Sequence, residues 1–278
     1  LTRSTPKIMS YKNKKFIHLT SHTHELSWKT EVIGEADTWI CLNKQTHLGT
    51  EHDHHHQDRP HMQAIVEQDI KRQAGWMRER GIDYLKPANI LDFETTGASL
   101  WGKNESGALA LKDCIHSEKP NRFFHALVHG SPEEEQFEVD LRLTPHRFQP
   151  WIMKASKEGK KTVTQFEVLE KFQGYTLLKC IPVTERYHQV RAHLGCRQLP
   201  VVGDAIYGGG LLMLSEMKRN YRQKKDRPER PLLDRAAIHL AELHFPDPIS
   251  GEDREILAPM QHDWEVAFKY LRKYATGN

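Results

Sequence analysis

The segment TERYHQVRAHL occupies residues 184–194, and LPVVGDAIYG follows it at residues 199–208. Tyr187, Val190 and Leu194 recur at helical spacing, and Gly195 follows them directly. The pattern therefore predicts a short helix that ends at this glycine.

The sequence around this stretch predicts more strands than helices. Alternation at Thr164, Phe166 and Val168 predicts a strand, and Gly174 turns the chain back into a partner strand at residues 175–183. Further strands are predicted at residues 38–44, 90–91, 98–101, 123–128 and 137–143, and a helix is predicted at residues 62–80 before Gly81. Because short turns join many of the strands, we expect an α+β protein with a largely antiparallel sheet.

A second motif, NILDFETTG, spans residues 89–97. Its last six residues are rich in turn-forming types, so Asp92 opens a loop between two predicted strands. Taken alone, such an aspartate caps a turn, and an arginine such as Arg191 lies on the surface.

Both motifs resemble those of the RluA-type pseudouridine synthases. The family pattern Thr-Gly-Arg-x-His-Gln-Ile-Arg-x-His-Leu falls on residues 184–194, with Glu185 in place of the glycine, and Pro-Ile-x-Gly-Asp-x-x-Tyr-Gly falls on residues 200–208. The pattern His-Arg-Leu-Asp-x-x-Thr-Ser-Gly falls on residues 89–97. The resemblance extends over about residues 32–260. It implies a bent, mixed but mainly antiparallel sheet flanked by helices and loops, without a preceding S4-type RNA-binding domain.

The resemblance also implies a reaction, the isomerisation of a specific uridine in ribosomal or transfer RNA, and assigns residues to it. Asp92 is expected to be the carboxylate that acts on a flipped-out uridine as nucleophile or base. Arg191 is expected to keep this carboxylate ionised, and Phe124 stands where the family has a tyrosine that stacks on the base. No cofactor and no metal are expected.

A wider set of residues is expected to bind RNA: Lys44, Ile90, Thr95, Arg186, His188, Gln189, Lys218, Arg219, Arg222, Lys224 and Lys225. Ile90 replaces the arginine that the family inserts into the RNA helix, and Asn89 replaces the preceding histidine. Together with Phe124 and Glu185, these departures leave open an alternative, a catalytically lapsed relative that binds RNA during ribosome assembly.

Charge and composition limit the remaining possibilities. The chain has 40 Lys and Arg against 37 Asp and Glu, a net charge of +3, so attraction to phosphate depends on where the cations lie. They concentrate in a basic insertion at about residues 209–232 of the predicted catalytic-type domain, residues 31–278, which follows a polar extension at residues 1–30. No apolar run is long enough to cross a membrane. We expect a monomer with free thiols in a reducing compartment, the cytoplasm or alternatively the mitochondrial matrix.

Two further patterns have a plain interpretation. The histidines at residues 52–61 could suggest a metal site, but neighbouring side chains cannot all point at one ion, so a polar loop is predicted. Residues 208–210 are three glycines without the Lys-Ser or Lys-Thr of a phosphate-binding loop, and they predict a flexible joint.

Overall fold

The computed structural model describes residues 15–116, 121–223 and 226–276. Its strands are β1 (Phe16–Ser21), β2 (Leu26–Glu35), β3 (Trp39–Lys44), β4 (Lys86–Pro87), β5 (Thr96–Gly102), β6 (Arg122–His129), β7 (Gln136–Pro145), β8 (Met153–Ala155), β9 (Lys160–Phe172), β10 (Tyr175–Pro182), β11 (Ile238–Pro246) and β12 (Asp253–Leu257). Its helices are α1 (Met62–Lys71), α2 (Gly75–Arg78), α3 (Glu105–Ile115), α4 (Gln189–Cys196), α5 (Leu214–Met217) and α6 (His262–Tyr274).

The strands form one twelve-stranded sheet in the order β1-β2-β3-β5-β11-β6-β10-β9-β7-β8, with β12 beside β11 and β4 beside β5. In the described part of the chain each named pair of strands is antiparallel except β5 and β11, which run parallel at the centre of the sheet. The predicted mixed but mainly antiparallel sheet is confirmed. The Asp92 loop immediately precedes β5, and α4 follows β10, so both motifs lie near the centre of the sheet.

Gly97 shows why the first motif ends in a glycine. Its φ angle is +112°, a conformation that glycine adopts far more readily than other residues, and a Cβ atom there would lie 2.2 Å from the carbonyl oxygen of Leu240 on β11. A larger residue would therefore push apart the parallel strands that hold the Asp92 loop.

Three large apolar clusters and one small one, among the described residues, hold the layers together. Trp264 and Leu271 of α6 pack with strand residues such as Phe166 and Leu178, while α3 covers the centre of the sheet and α1 covers β1 and β3. Each fully buried side chain of this size contributes about 1.5–3 kcal/mol. The clusters fix the sheet, and the loops that carry the motifs are attached to it.

The N-terminal part of the structure differs from the expectation. Residues 16–30 were expected within a polar extension, but most of them form β1 and β2, which continue the sheet outward from β3. Alternate side chains of β1 are buried, at Ile17, Leu19 and Ser21. The polar composition concealed this alternation, and the prediction of an extension is wrong for these residues.

Other local predictions also need correction. The helix expected at residues 62–80 is interrupted, because Gln73 has a φ angle of +50° and separates α1 from α2. Residues 90–91 lie in a loop rather than a strand, and α4 continues past Gly195 to Cys196.

The three glycines at residues 208–210 form a packed turn, not a flexible joint. A Cβ atom on Gly209 would lie 1.7 Å from the carbonyl oxygen of Val201, and the backbone N–H of Gly203 donates to Gly210. The turn holds the loop that contains Asp204.

Cys41, Cys114, Cys180 and Cys196 are free, as expected. Among the described residues, no helix combines the length and the apolar character needed to cross a membrane.

Candidate active site

A buried ion pair between Arg191 and Asp204 organises the site. The Nε and Nη2 atoms of Arg191, on α4, donate to the two carboxylate oxygens of Asp204 at 2.6 and 2.7 Å. The side chains are 5% and 0% exposed. Two parallel hydrogen bonds to a carboxylate fix the plane of the guanidinium group, so the direction of its remaining nitrogen, Nη1, is also fixed.

Asp92 lies where this remaining nitrogen points. Arg191 Nη1 donates to Asp92 Oδ2 at 3.2 Å, although the two residues are 99 positions apart in the chain. The Asp92 side chain keeps 20% exposure, so it is largely buried and still accessible. The predicted meeting of the two motifs is thus observed in the structure.

The loop that carries Asp92 is tied to its surroundings on both sides. Thr50 Oγ1 accepts from the backbone N–H of Leu91 and donates to its carbonyl oxygen. The amide of Asn89 donates to the carbonyl of Ala98 and accepts from the N–H of Leu100 on β5. Asn89, which departs from the family histidine, therefore holds the loop against the sheet.

The charges around Asp92 lower the pKa of its carboxyl. Burial by itself would raise this pKa, but the charges of His188, Arg191 and Lys44 and the hydrogen bond from Arg191 outweigh the burial. The charge of His188 is present only under acidic conditions, because burial lowers its pKa to about 4, and near neutral pH the ring is uncharged. Arg191 is therefore the main cation that keeps Asp92 ionised.

His188 is held as a neutral ring. Arg191 Nη1 lies 2.8 Å from its Nε2 atom, and because an arginine can only donate, Nε2 must accept. The proton of the neutral ring is then on Nδ1, which lies 3.2 Å from the hydroxyl oxygen of Tyr207. Its backbone φ angle of +52° is unusual for a residue other than glycine. His188 thus closes the network around Arg191.

Lys44 lies in the interior of the protein, where its Nζ atom is 3.5 Å from the carbonyl oxygen of Phe93 in the Asp92 loop. It is fully buried, and its Nζ atom donates to the carbonyl of Gln45 at 3.0 Å. Burial lowers its pKa to about 7, against the attraction of Asp92. The prediction that Lys44 binds RNA directly is wrong for this structure, since no part of it reaches solvent.

A cavity of about 80 Å³ opens beside Asp92 and contains most of the predicted site residues. Its lining includes Ile90, Asp92, Thr95, Phe124, Arg186, His188, Gln189 and Arg191. Ile90 is 56% exposed at its mouth, whereas Phe124 is partly buried and packs on the core. Ile90 and Phe124 thus offer an apolar mouth and an aromatic wall.

Gln189 lines this cavity, but its amide is engaged within the protein. The Nε2 atom donates to Thr164 Oγ1 at 2.9 Å and to the carbonyl of Val163 at 3.0 Å, and Oε1 accepts from Thr184. These bonds attach the start of α4 to β9. The side chain positions the helix, which the prediction of an RNA contact did not anticipate.

Arg122 and Glu185 form a second ion pair in the wall of the cavity. Arg122 Nη1 lies 2.6 Å from Glu185 Oε1, and the arginine side chain is 5% exposed. Glu185 stands where the family motif has glycine. The sequence indicated this departure but not its partner.

The histidine-rich loop lines a larger, adjoining cavity of about 290 Å³ that also reaches Asp92. Asp53 accepts from His56 at 2.7 Å and contacts Arg59 at 3.4 Å, while Trp151 packs against His55 and His56. These aromatic and cationic side chains extend the site into a groove.

The described residues of the basic insertion line neither of these cavities. Arg219 and Arg222 are exposed, Lys218 lies over the ring of Tyr274, and none of the three lines either cavity. Lys224 and Lys225 lie outside the described residues. RNA binding by this segment stays a prediction.

Asp204, Tyr207 and Arg122 belong to the site but were given no role from the sequence. Asp204 and Tyr207 belong to the quoted run at residues 200–208, so the motif itself contained the signal. Arg122 precedes Phe124 by two positions on β6 and therefore shares its face of the strand.

Comparisons with known proteins identify the family to which this chain is similar. The model of the RNA pseudouridylate synthase family matches residues 38–195. An uncharacterized RNA pseudouridine synthase of Mycobacterium bovis is 29% identical over 66% of this chain and 54% of its own length. Ribosomal large subunit pseudouridine synthase C of Yersinia pestis is 30% identical over 69% of this chain and 57% of its own length.

The fold has solved counterparts. Human RNA pseudouridylate synthase domain containing 4 superposes with a TM-score of 0.64 at 18% identity, over 87% of this chain and 92% of that one. The chain belongs to the RNA pseudouridylate synthase family, and the resemblance to its RluA-type members is confirmed. The chain spans just over half the length of the curated relatives described above.

Proposed function

We propose that this chain isomerises a specific uridine in RNA to pseudouridine. The observation that carries the proposal is the contact between Asp92 and Arg191, which supports an ionised carboxylate at a cavity open to solvent. In the reaction the C1′–N1 bond breaks, a C1′–C5 bond forms, C5 loses a proton and N1 gains one. The base turns within the site, and no electrons are exchanged.

In this proposal Asp92 acts on the sugar or the base of a flipped-out uridine, and Arg191 keeps it ionised. Extrusion of the base from its stack costs a few kcal/mol, which stacking on Phe124 would offset. Ile90 would act as an apolar wedge at the mouth. Because Phe124 has no hydroxyl, the proton leaving C5 would have to pass to water or to another group.

The substrate in this proposal is structured RNA, ribosomal or transfer. Ribosomal RNA is favoured because the relative from Yersinia pestis is named as acting on the large ribosomal subunit. The groove lined by Arg59, Trp151 and Tyr187 would hold nucleotides that flank the target, through charge and stacking. The bacterial relatives favour cytoplasmic action, with the mitochondrial matrix as the alternative. A monomeric state is also part of the proposal.

A second function is favoured by Ile90 and Phe124, which replace an arginine and a tyrosine of the family motifs. A lapsed synthase would keep the groove and bind ribosome-assembly particles without changing the RNA. Both hypotheses predict RNA binding, so the test must measure the formation of pseudouridine.

The test is chemical mapping of pseudouridine in RNA from cells that produce either the wild-type protein or Asp92→Asn. We expect a position that is modified with the wild type and at least about 10²- to 10⁴-fold more slowly with the variant, because the amide cannot serve as base or nucleophile. Glu170→Gln, which changes a carboxylate on the surface, is the matched control and should leave the modification intact. An unchanged map together with a ribosome-assembly defect would support the lapsed synthase.

A further inference from the structure

The ion pair of Arg122 and Glu185 is not required by the family motif. Glu185 replaces a glycine there, and its carboxylate lies 2.6 Å from Arg122 in the wall of the cavity that contains Asp92. Arg122 comes from β6, two residues before Phe124, so the pair borders the aromatic face on which a base would stack.

Both members of the pair keep unused hydrogen-bonding capacity. Arg122 is 4% exposed, and among the described residues its Nε atom has no hydrogen-bond partner. Glu185 Oε2 is likewise without a hydrogen bond within the described part of the chain, and its contact with His116 is an ion pair at 3.4 Å. Buried polar groups without partners are rare because they cost free energy, and here they border a cavity.

The pair matches the edge of uracil that carries N3. On this edge a donor, N3–H, is flanked by two acceptors, O2 and O4. A carboxylate accepts from N3–H, and a neighbouring guanidinium donates to a flanking oxygen. We propose that Glu185 and Arg122 bind this edge of the extruded base, an inference that rests on the proposed function and names a uracil contact for the same site.

The geometry of isomerisation gives this contact a second role. To exchange N1 for C5 at the sugar, the ring turns by half a revolution about the axis through N3 and C6. The N3–H group lies on this axis and stays in place, while O2 and O4 exchange positions. Glu185 can therefore hold N3–H before and after the turn, and Arg122 passes from one oxygen to the other. The pair would act as a pivot that keeps the detached base in the site.

The proposal is tested by the binding of free nucleotides, which needs no knowledge of the target RNA. Ligand-observed NMR titrations would compare UMP, 3-methyl-UMP and pseudouridine 5′-monophosphate. We expect UMP and pseudouridine 5′-monophosphate to bind alike, since they share the N3 edge. 3-Methyl-UMP lacks the N3–H donor and should bind at least about tenfold more weakly.

Variants of Glu185 then assign the preference to this side chain. In Glu185→Gly, the family residue, UMP and 3-methyl-UMP should bind within about twofold of each other. Glu185→Gln keeps an acceptor oxygen and should retain part of the preference. Thermal melting of each variant checks that the fold is intact, and Glu170→Gln, which changes a partly exposed carboxylate outside the cavity, should keep the full preference.

Each outcome bears on one proposal or the other. Equal binding of UMP and 3-methyl-UMP to the wild type, or no UMP binding at millimolar concentration, would overturn the pivot. A preference that survives in Glu185→Gly would overturn it as well. If Asp92-dependent isomerisation is found without the preference, only the pivot fails. If the preference is found without isomerisation, the proposed function fails and a uracil-binding site remains.

Discussion

Two arginine–carboxylate pairs in this molecule have nearly the same geometry and opposite surroundings. Arg191 makes two hydrogen bonds to Asp204 at 2.6 and 2.7 Å, and Arg272 of α6 makes two to Glu170 of β9 at 2.9 and 2.7 Å. The side chains of the first pair are 5% and 0% exposed, and those of the second are 59% and 33% exposed.

The hydrogen bonds of the two pairs are alike, so burial is what makes the Arg191–Asp204 pair contribute more to stability than the Arg272–Glu170 pair. In water, solvation competes with the attraction between charges, so the surface pair contributes little. In the site, Arg191 is held by Asp204 so that its Nη1 atom faces Asp92 and His188. Asp204 is therefore a positioning residue for Asp92, and it acts through Arg191.

The largest effect on stability is expected when the buried pair is broken. Asp204→Ala leaves the Arg191 charge buried without its main partner, and we expect the free energy of unfolding to fall by about 3–5 kcal/mol. Urea denaturation measures this change. Asp204→Asn keeps the size of the side chain and should show a smaller loss, while pseudouridine formation falls in both variants. Unchanged stability in Asp204→Ala would show that Arg191 finds another partner, and the role assigned to Asp204 would be wrong.

Sequence motifs located Asp92 and Arg191 of this network but gave no role to Asp204, the partner on the far side of Arg191. Asp92 and Arg191 were identified because their motifs name them, whereas Asp204 was quoted without a role. Its contact with Arg191 depends on the packed turn of residues 208–210, and a sequence pattern does not show which loop closes on which helix. The resemblance supplied the fold class, since both motifs belong to that fold.

The predictions for Lys44 and for the first two strands were wrong for a related reason, since both depend on tertiary packing. Lys44 was assigned to the RNA surface because lysine is usually exposed, but tertiary packing buries it completely. β1 and β2 were missed because polar residues are interspersed with their apolar ones, and because their place beside β3 becomes evident only in the sheet. Whether these residues are buried depends on segments that are distant in the chain, and composition alone does not show which segments pack together.

An effect of intermediate size is expected at Lys44, where burial lowers the pKa of the side chain. Its pKa is lowered to about 7 in the folded protein, against 10.5 for the ordinary side chain, chiefly by burial. Between these values the unfolded chain binds more protons than the folded one, so this residue makes stability rise with pH. The slope is at most about 1.4 kcal/mol per pH unit for one group.

Lys44→Met should remove this contribution. We expect the difference in unfolding free energy between variant and wild type to change steadily from pH 7 to pH 10, measured by urea denaturation at each pH. Lys179→Met, which removes a partly exposed lysine on β10, is the control for the loss of one positive charge. Parallel pH profiles for Lys44→Met and the wild type would mean that Lys44 keeps its proton throughout this range.

The smallest effect is expected at the surface pair, and it completes the comparison. Glu170→Gln should lower the free energy of unfolding by less than about 1 kcal/mol, because solvent already screens the attraction to Arg272. Raising the salt concentration to 1 M shortens the screening length to about 3 Å and should reduce even this difference. The effect of Asp204→Ala should persist in the same salt, since buried charges are screened much less. Equal salt sensitivity of the two variants would show that solvent reaches both pairs, and burial could then not be what distinguishes Arg191.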